Sequence, residues 1–298
     1  MNFDYHLNGR MLPPCDAHLS VEDAGFQHAV GLFETFHTYH GQVFRLEQHL
    51  DRLARSAREL GLDPDLNTAH LADAVQQTID HNQLDRARLR LTITPGALSL
   101  LRQEADAATP APTVLIVPSE PPTYDRAYFD QGITVLLAPP GANPFDPMAG
   151  HKTLAYWGRL MTLRQAARAG AGEAIWLNIT QHLASGAVSN LFLVKDGQLF
   201  TPIAHGEEVD GALPSPVLPG ITRAAILELA QTMDLKVHQQ MLSVEQMLEA
   251  DEVFLTNTSW LVLPVTRVEK AVVADGNPGP ITHQLRQKLL ELIVAETT

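Results

Sequence analysis

The run Leu191-Phe192-Leu193-Val194 is separated from Gln198-Leu199-Phe200-Thr201 only by Lys195-Asp196-Gly197. Two apolar runs joined by so short a turn predict a β-hairpin, and its antiparallel pairing excludes a purely βαβ-wound chain. A second strand signal is Arg88-Leu89-Arg90-Leu91-Thr92-Ile93-Thr94, which alternates strictly. One face is apolar and the other carries two arginines and two threonines. Helical spacing is as clear: Leu46, Leu50, Leu53, Ala57 and Leu60 recur on one face, with Gly61 placed to end the helix. Leu71, Ala74, Val75 and Ile79 predict a second helix.

The prolines and charges around 118–126 mark a linker. They divide the chain into an N-terminal α/β domain over 1–118, a linker over 119–127 and a C-terminal domain over 128–298. In the latter, strands are predicted over 133–138, 174–178, 253–256 and 261–265, and a helix from 154 to about 169. Further helices are expected near Ile221 after Pro219-Gly220, after Ser243 with Gln246 as a capping box, and from Pro280 onward. The fold class is α/β, with α and β elements mixed in two lobes.

Composition narrows the partners. The 298 residues are 45% hydrophobic and 18% charged, the balance of a chain with a substantial core. A formal charge of -13 opposes nucleic acid or an anionic membrane as a partner, while a small anion can still find a positive pocket. Cys15 is the only cysteine, which excludes an internal disulfide and fits a reducing compartment. Residues 1–20 lack the pattern of a signal peptide, and apolar runs such as Val114-Leu115-Ile116-Val117 are strand-sized. The expected location is cytoplasmic.

The chain has five lysines. Lys195, Lys236, Lys270 and Lys288 fall in turns, loops or a helix surface, where a solvated charge explains them. Lys152 differs: it follows Gly150-His151 and opens a segment with Leu154, Tyr156 and Trp157. Apolar neighbours lower an amine's pKa and make it nucleophilic. Leu218-Pro219-Gly220-Ile221-Thr222-Arg223 runs from a loop into a helix, whose free N–H groups suit a phosphate. Thr256-Asn257-Thr258-Ser259 offers hydroxyls and amides of the same use, and reads equally as a polar turn. Arg52 lies beside an apolar stripe, where an arginine meets either an anion or a surface carboxylate. The thirteen histidines show no metal spacing, no metal is expected, and His49 and His151 read as structural.

Taken in order, these segments resemble the class IV aminotransferases, the fold type IV group that includes branched-chain aminotransferase, D-amino-acid aminotransferase and 4-amino-4-deoxychorismate lyase. The matching runs are Gly31-Leu32-Phe33-Glu34-Thr35, Glu47-Gln48-His49-Leu50-Asp51-Arg52-Leu53, His151-Lys152-Thr153-Leu154-Ala155-Tyr156, Ser189-Asn190-Leu191-Phe192, Pro219-Gly220-Ile221-Thr222-Arg223 and Leu263-Pro264-Val265. The resemblance implies a two-domain fold with pyridoxal 5'-phosphate (PLP) in the interdomain cleft and a homodimer that completes the active sites. It makes Lys152 the Schiff-base lysine. It assigns the phosphate to Arg52, Ile221, Thr222 and Thr258, and the cofactor's phenolic oxygen to Tyr156. Phe33 and Arg90 would line the substrate pocket, with Arg90 either receiving a substrate carboxylate or standing as an exposed strand charge.

One position departs from the family pattern. Ser185 stands where the resemblance expects the glutamate that pairs with the pyridine nitrogen. A hydroxyl cannot stabilise a protonated ring as a carboxylate does, so the cofactor becomes a poorer electron sink. Ala97-Leu98-Ser99-Leu100 also lacks the arginine of the D-amino-acid type. The resemblance therefore implies an aminotransferase exchanging nitrogen between an amino acid and a 2-keto acid. A lyase that releases pyruvate from aminodeoxychorismate, and a PLP-binding protein with lost turnover, are the alternatives.

Overall fold

The computed structural model describes residues 3–97, 112–139 and 141–298. Residues 98–100 and most of the irregular loop 96–112, including the stretch without an arginine, lie outside the described residues. The chain forms two compact units, Met1–Pro122 with Lys152–Ala155 and Glu296–Thr298, and Thr123–His151 with Tyr156–Ala295.

The first unit contains β1 (Tyr5–Leu7), β2 (Arg10–Leu12), α1 (Ala24–His28), β3 (Leu32–Tyr39), β4 (Gln42–Val43), α2 (Leu46–Glu59), α3 (Thr68–Asn82), β5 (Arg88–Thr94) and β6 (Thr113–Ser119). Its strands make one antiparallel sheet in the order β2-β1-β6-β5-β3-β4. The alternation in β5 is realised: Leu89, Leu91 and Ile93 are buried, while Arg88 and Arg90 are half-buried on the other face. Leu50, Leu53 and Ala57 of α2, and Leu71, Val75 and Ile79 of α3, complete that core. Helical spacing turns these positions to one side, and burying each large aliphatic side chain contributes about 1.5–3 kcal/mol.

The second unit contains α4 (Ala127–Asp130), β7 (Ile133–Leu137), α5 (Trp157–Arg168), β8 (Glu173–Leu177), β9 (Leu183–Gly186), β10 (Asn190–Lys195), β11 (Gln198–Thr201), α6 (Ile221–Thr232), β12 (Val237–Gln239), α7 (Val244–Leu248), β13 (Glu252–Asn257), β14 (Leu261–Val268), β15 (Ala271–Val272) and α8 (Pro280–Glu296). The sheet runs β12-β11-β10-β13-β14-β7-β8-β9, with β15 beside β14. β11 with β12, β14 with β7, and β7 with β8 pair in parallel; the other pairs are antiparallel. The expected hairpin is β10–β11. Its two turn residues, Asp196 and Gly197, have φ of 49° and 68°, the left-handed pair that a tight hairpin demands. The Ser243–Gln246 capping box forms both of its bonds, and α8 starts at Pro280.

The helix expected from 154 begins instead at Trp157. Backbone pairing takes the preceding residues: Phe33 N donates to Lys152 O at 3.0 Å, Leu154 N donates to Gly31 O at 3.0 Å, and Leu32 bridges Thr153. Lys152 therefore extends the sheet at β3 and belongs to the first unit, whereas the sequence placed it in the 128–298 domain. No helix among the described residues is long and apolar enough to cross a membrane.

Candidate functional site

In the first unit, the pairing with β3 fixes the backbone of Lys152 and directs its side chain over Phe33. Lys152 Nζ lies 4.1 Å from the centre of the Phe33 ring, and Arg90 Cζ lies 3.7 Å from it. Phe33 is buried, so one aromatic ring orders two cationic side chains through its negative face. Lys152, Phe33 and Arg90, which the family resemblance assigns to one site, thus meet within the first unit.

Behind them is a group that sequence reasoning missed. Glu34, next to Phe33 but on the opposite face of β3, is 1% exposed. Arg52 of α2 donates to it twice, Nε to Oε1 at 2.9 Å and Nη2 to Oε2 at 2.6 Å. His49 Nδ1 stands 2.8 Å from Oε2. A carboxylate can only accept, so His49 carries its proton on Nδ1. Burial pushes the Glu34 carboxyl up, but the Arg52 charge and the His49 hydrogen bond outweigh it and hold the group at about 2. Burial lowers the His49 imidazole, against the pull of Glu34. Within the first unit, Arg52 thus meets the buried carboxylate of Glu34. The heptapeptide around Arg52 showed the arginine; nothing local announced the carboxylate eighteen residues earlier.

In the second unit, α6 starts at Ile221 with Gly220 as its N-cap and no capping side-chain bond. Ile221 and Thr222 are buried in that first turn, whose N–H groups lack intrahelical acceptors. Asn190 Nδ2 donates to Leu218 O at 2.8 Å and holds the approach to the helix. A Cβ at Gly220 would collide with Asn190 Oδ1, so any larger residue there requires Asn190 to shift. Arg223 turns away from the helix end: Nη1 and Nη2 donate to Glu207 at 2.6 and 2.8 Å, and Nη2 also to Pro202 O at 3.0 Å. Its role is to brace the loop before α6.

The turn after β13 is shaped by Asn257, whose Oδ1 accepts from Ser259 N at 2.9 Å and Trp260 N at 3.0 Å and whose Nδ2 donates to Val188 O at 3.2 Å. Thr258 sits half-buried in that turn. Thr256, the first residue of the hydroxyl-rich stretch noted in the sequence, is 1% exposed and its hydroxyl has no hydrogen-bond partner among the described residues. An uncapped helix start and an unpartnered buried hydroxyl are the donors that fit a phosphate monoester.

Ser185 is 3% exposed on β9, opposite Trp176 of β8. Arg159 of α5 donates through Nη1 to Ser185 Oγ at 3.2 Å, Gly186 O at 3.0 Å and Ala187 O at 3.3 Å. Tyr156, at the start of α5, donates its hydroxyl to Ala187 O at 3.3 Å, which brings it to the same loop. Beneath the loop lies Glu173, fully buried. Its Oε1 accepts from Ala174 N at 2.9 Å and Ala187 N at 3.2 Å, and its Oε2 from Val188 N at 3.2 Å and Ser189 Oγ at 3.0 Å. Burial pushes its carboxyl up, against those four hydrogen bonds.

Comparison with known proteins fits these local arrangements into a family. The family model "Amino-transferase class IV" matches residues 31–268. A putative branched-chain-amino-acid aminotransferase of Methanocaldococcus jannaschii is 30% identical over 287 residues, 96% of this chain and 95% of that protein. The crystal structure of the Escherichia coli branched-chain amino acid aminotransferase superposes with a TM-score of 0.88 at 30% identity, covering 100% of this chain and 97% of the other. The 4-amino-4-deoxychorismate lyase of Pseudomonas aeruginosa superposes with a TM-score of 0.79 at 28% identity, covering 96% and 98%. With nearly its whole length matched, the chain belongs to the class IV aminotransferase family of enzymes.

Proposed function

We propose that the chain carries PLP on Lys152 and moves an amino group between an amino acid and a 2-keto acid. The observation that carries this reading is the setting of Lys152, tied by backbone pairing to β3 and laid across the buried Phe33 ring beside Arg90. When bound, the cofactor supplies an electron sink for the bond that breaks at the substrate Cα. With the cofactor in place, Lys152 Nζ would be the base that removes and returns the proton at the substrate Cα. Arg52, oriented by Glu34, holds the phosphate with the Ile221 and Thr222 N–H groups and Thr258. Tyr156 serves the phenolic oxygen and Ser185 the ring nitrogen. Phe33 and Arg90 line the substrate side, and Arg90 suits a dicarboxylate such as glutamate or 2-oxoglutarate. A homodimer in a cytoplasmic setting is the assembly we infer.

The test mixes PLP-loaded protein with L-glutamate, L-leucine and D-alanine in turn and follows the cofactor absorbance. Conversion with at least one donor, abolished in K152A, is expected; no conversion with any donor overturns the aminotransferase reading. A second reading, the elimination of pyruvate from aminodeoxychorismate, is favoured by Ser185, because an elimination depends less on a protonated ring. Pyruvate release without any keto-acid acceptor would select it.

A further inference from the structure

We propose that Arg159 holds the Ser185 hydroxyl as a hydrogen-bond donor toward the pyridine nitrogen, and so keeps that nitrogen unprotonated. The proposal rests on the PLP reading above. A serine hydroxyl offers one hydrogen and two lone pairs, whereas a guanidinium only donates and never loses its charge. With Arg159 Nη1 at 3.2 Å, one lone pair of Ser185 Oγ is taken and its hydrogen is turned away from the arginine. A neutral pyridine nitrogen accepts such a hydrogen. A protonated one would have to donate to the same oxygen that already serves a cation.

The charges around Ser185 favour the neutral ring as well. Among the described residues, the acceptors of Arg159 are one hydroxyl and two carbonyls, none of them charged. Its guanidinium also lies 5.0 Å from the Trp176 ring, which leaves its net charge in place. The buried carboxylate on the adjoining strand, Glu173, does not replace the missing glutamate. Both of its oxygens are occupied by the 187–189 loop and by Ala174 N, so it shapes the loop. A fixed positive charge beside the ring nitrogen disfavours a second one. Arg159 is thus a positioning residue: it acts through Ser185 and sets how much electron density the ring can absorb.

The experiment loads the full-length protein with PLP labelled with 15N in the ring and records the ring-nitrogen NMR shift. Borohydride reduction and peptide mapping on the same preparation establish attachment at Lys152. Absence of the modified lysine refutes the PLP reading itself, before any spectrum is interpreted. With attachment present, wild type should show the shift of an unprotonated pyridine and S185E that of a pyridinium. R159Q, which keeps a polar side chain but removes the charge, should move the signal toward the pyridinium position. A pyridinium shift in wild type, or an R159Q signal identical to wild type, overturns the proposal.

Discussion

Glu34 and Arg52 form a buried two-point ion pair, at 2.9 and 2.6 Å, across β3 and α2. Breaking such a pair leaves one charge uncompensated, so E34Q should cost about 3–5 kcal/mol of stability. The pH dependence follows from the same geometry. The Glu34 carboxyl is depressed from 4.5 to about 2, so its contribution is full above pH 4.5 and is lost as pH falls from there toward 2. His37 adds an earlier limb. Burial, with Arg88 and Arg86 nearby, lowers its imidazole from 6.5 to about 4. Its neutral form is built into the fold, so its contribution is lost between pH 6.5 and 4. Urea unfolding from pH 8 downward should show two limbs, with H37N weakening the upper, to which the buried His49 and His6 also contribute, and E34Q removing the lower. A wild-type profile flat to pH 4 would contradict the first.

How much of this was legible beforehand depended on whether the cause was local. The β10–β11 hairpin, the α7 capping box and the α6 start are set by neighbours within a few residues, and the sequence shows them. Lys152 was recognisable by its setting, but its backbone conformation was not. The apolar spacing after Leu154 suits a helix, and only a β3 strand more than a hundred residues earlier diverts it. Glu34 reads as an ordinary strand residue until α2 brings Arg52 and His49 against it. Arg159 looks like a solvated helix charge; its contact with Ser185 arises from the packing of α5 on β8 and β9, which no local pattern encodes.

Thr256 permits a test of the phosphate seat that separates binding from stability. Its buried hydroxyl has no partner among the described residues, which is unfavourable by about 1–3 kcal/mol. T256V removes that group, so the protein without PLP should melt at the same temperature or higher. If the hydroxyl meets the phosphate, the PLP dissociation constant should rise about tenfold, the equivalent of about 1.4 kcal/mol. Thermal shift against PLP concentration reads both. A cofactor dependence identical to wild type would remove Thr256 from the seat.

Gly220 tests the same seat from the other side. A methyl group there meets Asn190 Oδ1, so G220A must displace Asn190 and break its 2.8 Å bond to Leu218 O. Overpacking of this kind costs about 1–3 kcal/mol. The displacement alters the entry to α6, so PLP affinity should fall in G220A even under conditions where the variant is fully folded by circular dichroism. Retained affinity would show that the α6 N–H groups do not depend on this loop.

Arg90 bears on which substrates are accepted. Its guanidinium lies 3.7 Å from the Phe33 ring centre, on the half-exposed face of β5. Stacking on a buried ring limits the conformations of the side chain, and a planar guanidinium meets a carboxylate along its edge rather than its face. A hydrogen bond to a charged group is worth about 1.5–3 kcal/mol, so R90M should raise KM for 2-oxoglutarate by about tenfold to a hundredfold. A monocarboxylic keto acid such as 4-methyl-2-oxopentanoate should change little, because it lacks the second carboxylate. F33L should act in the same direction more weakly, since it leaves the charge but removes the surface that orders it. Steady-state kinetics with both acceptors distinguishes the outcomes. An equal loss for the two acids would assign Arg90 to the carboxylate they share, and no loss for either would leave it as an exposed strand charge.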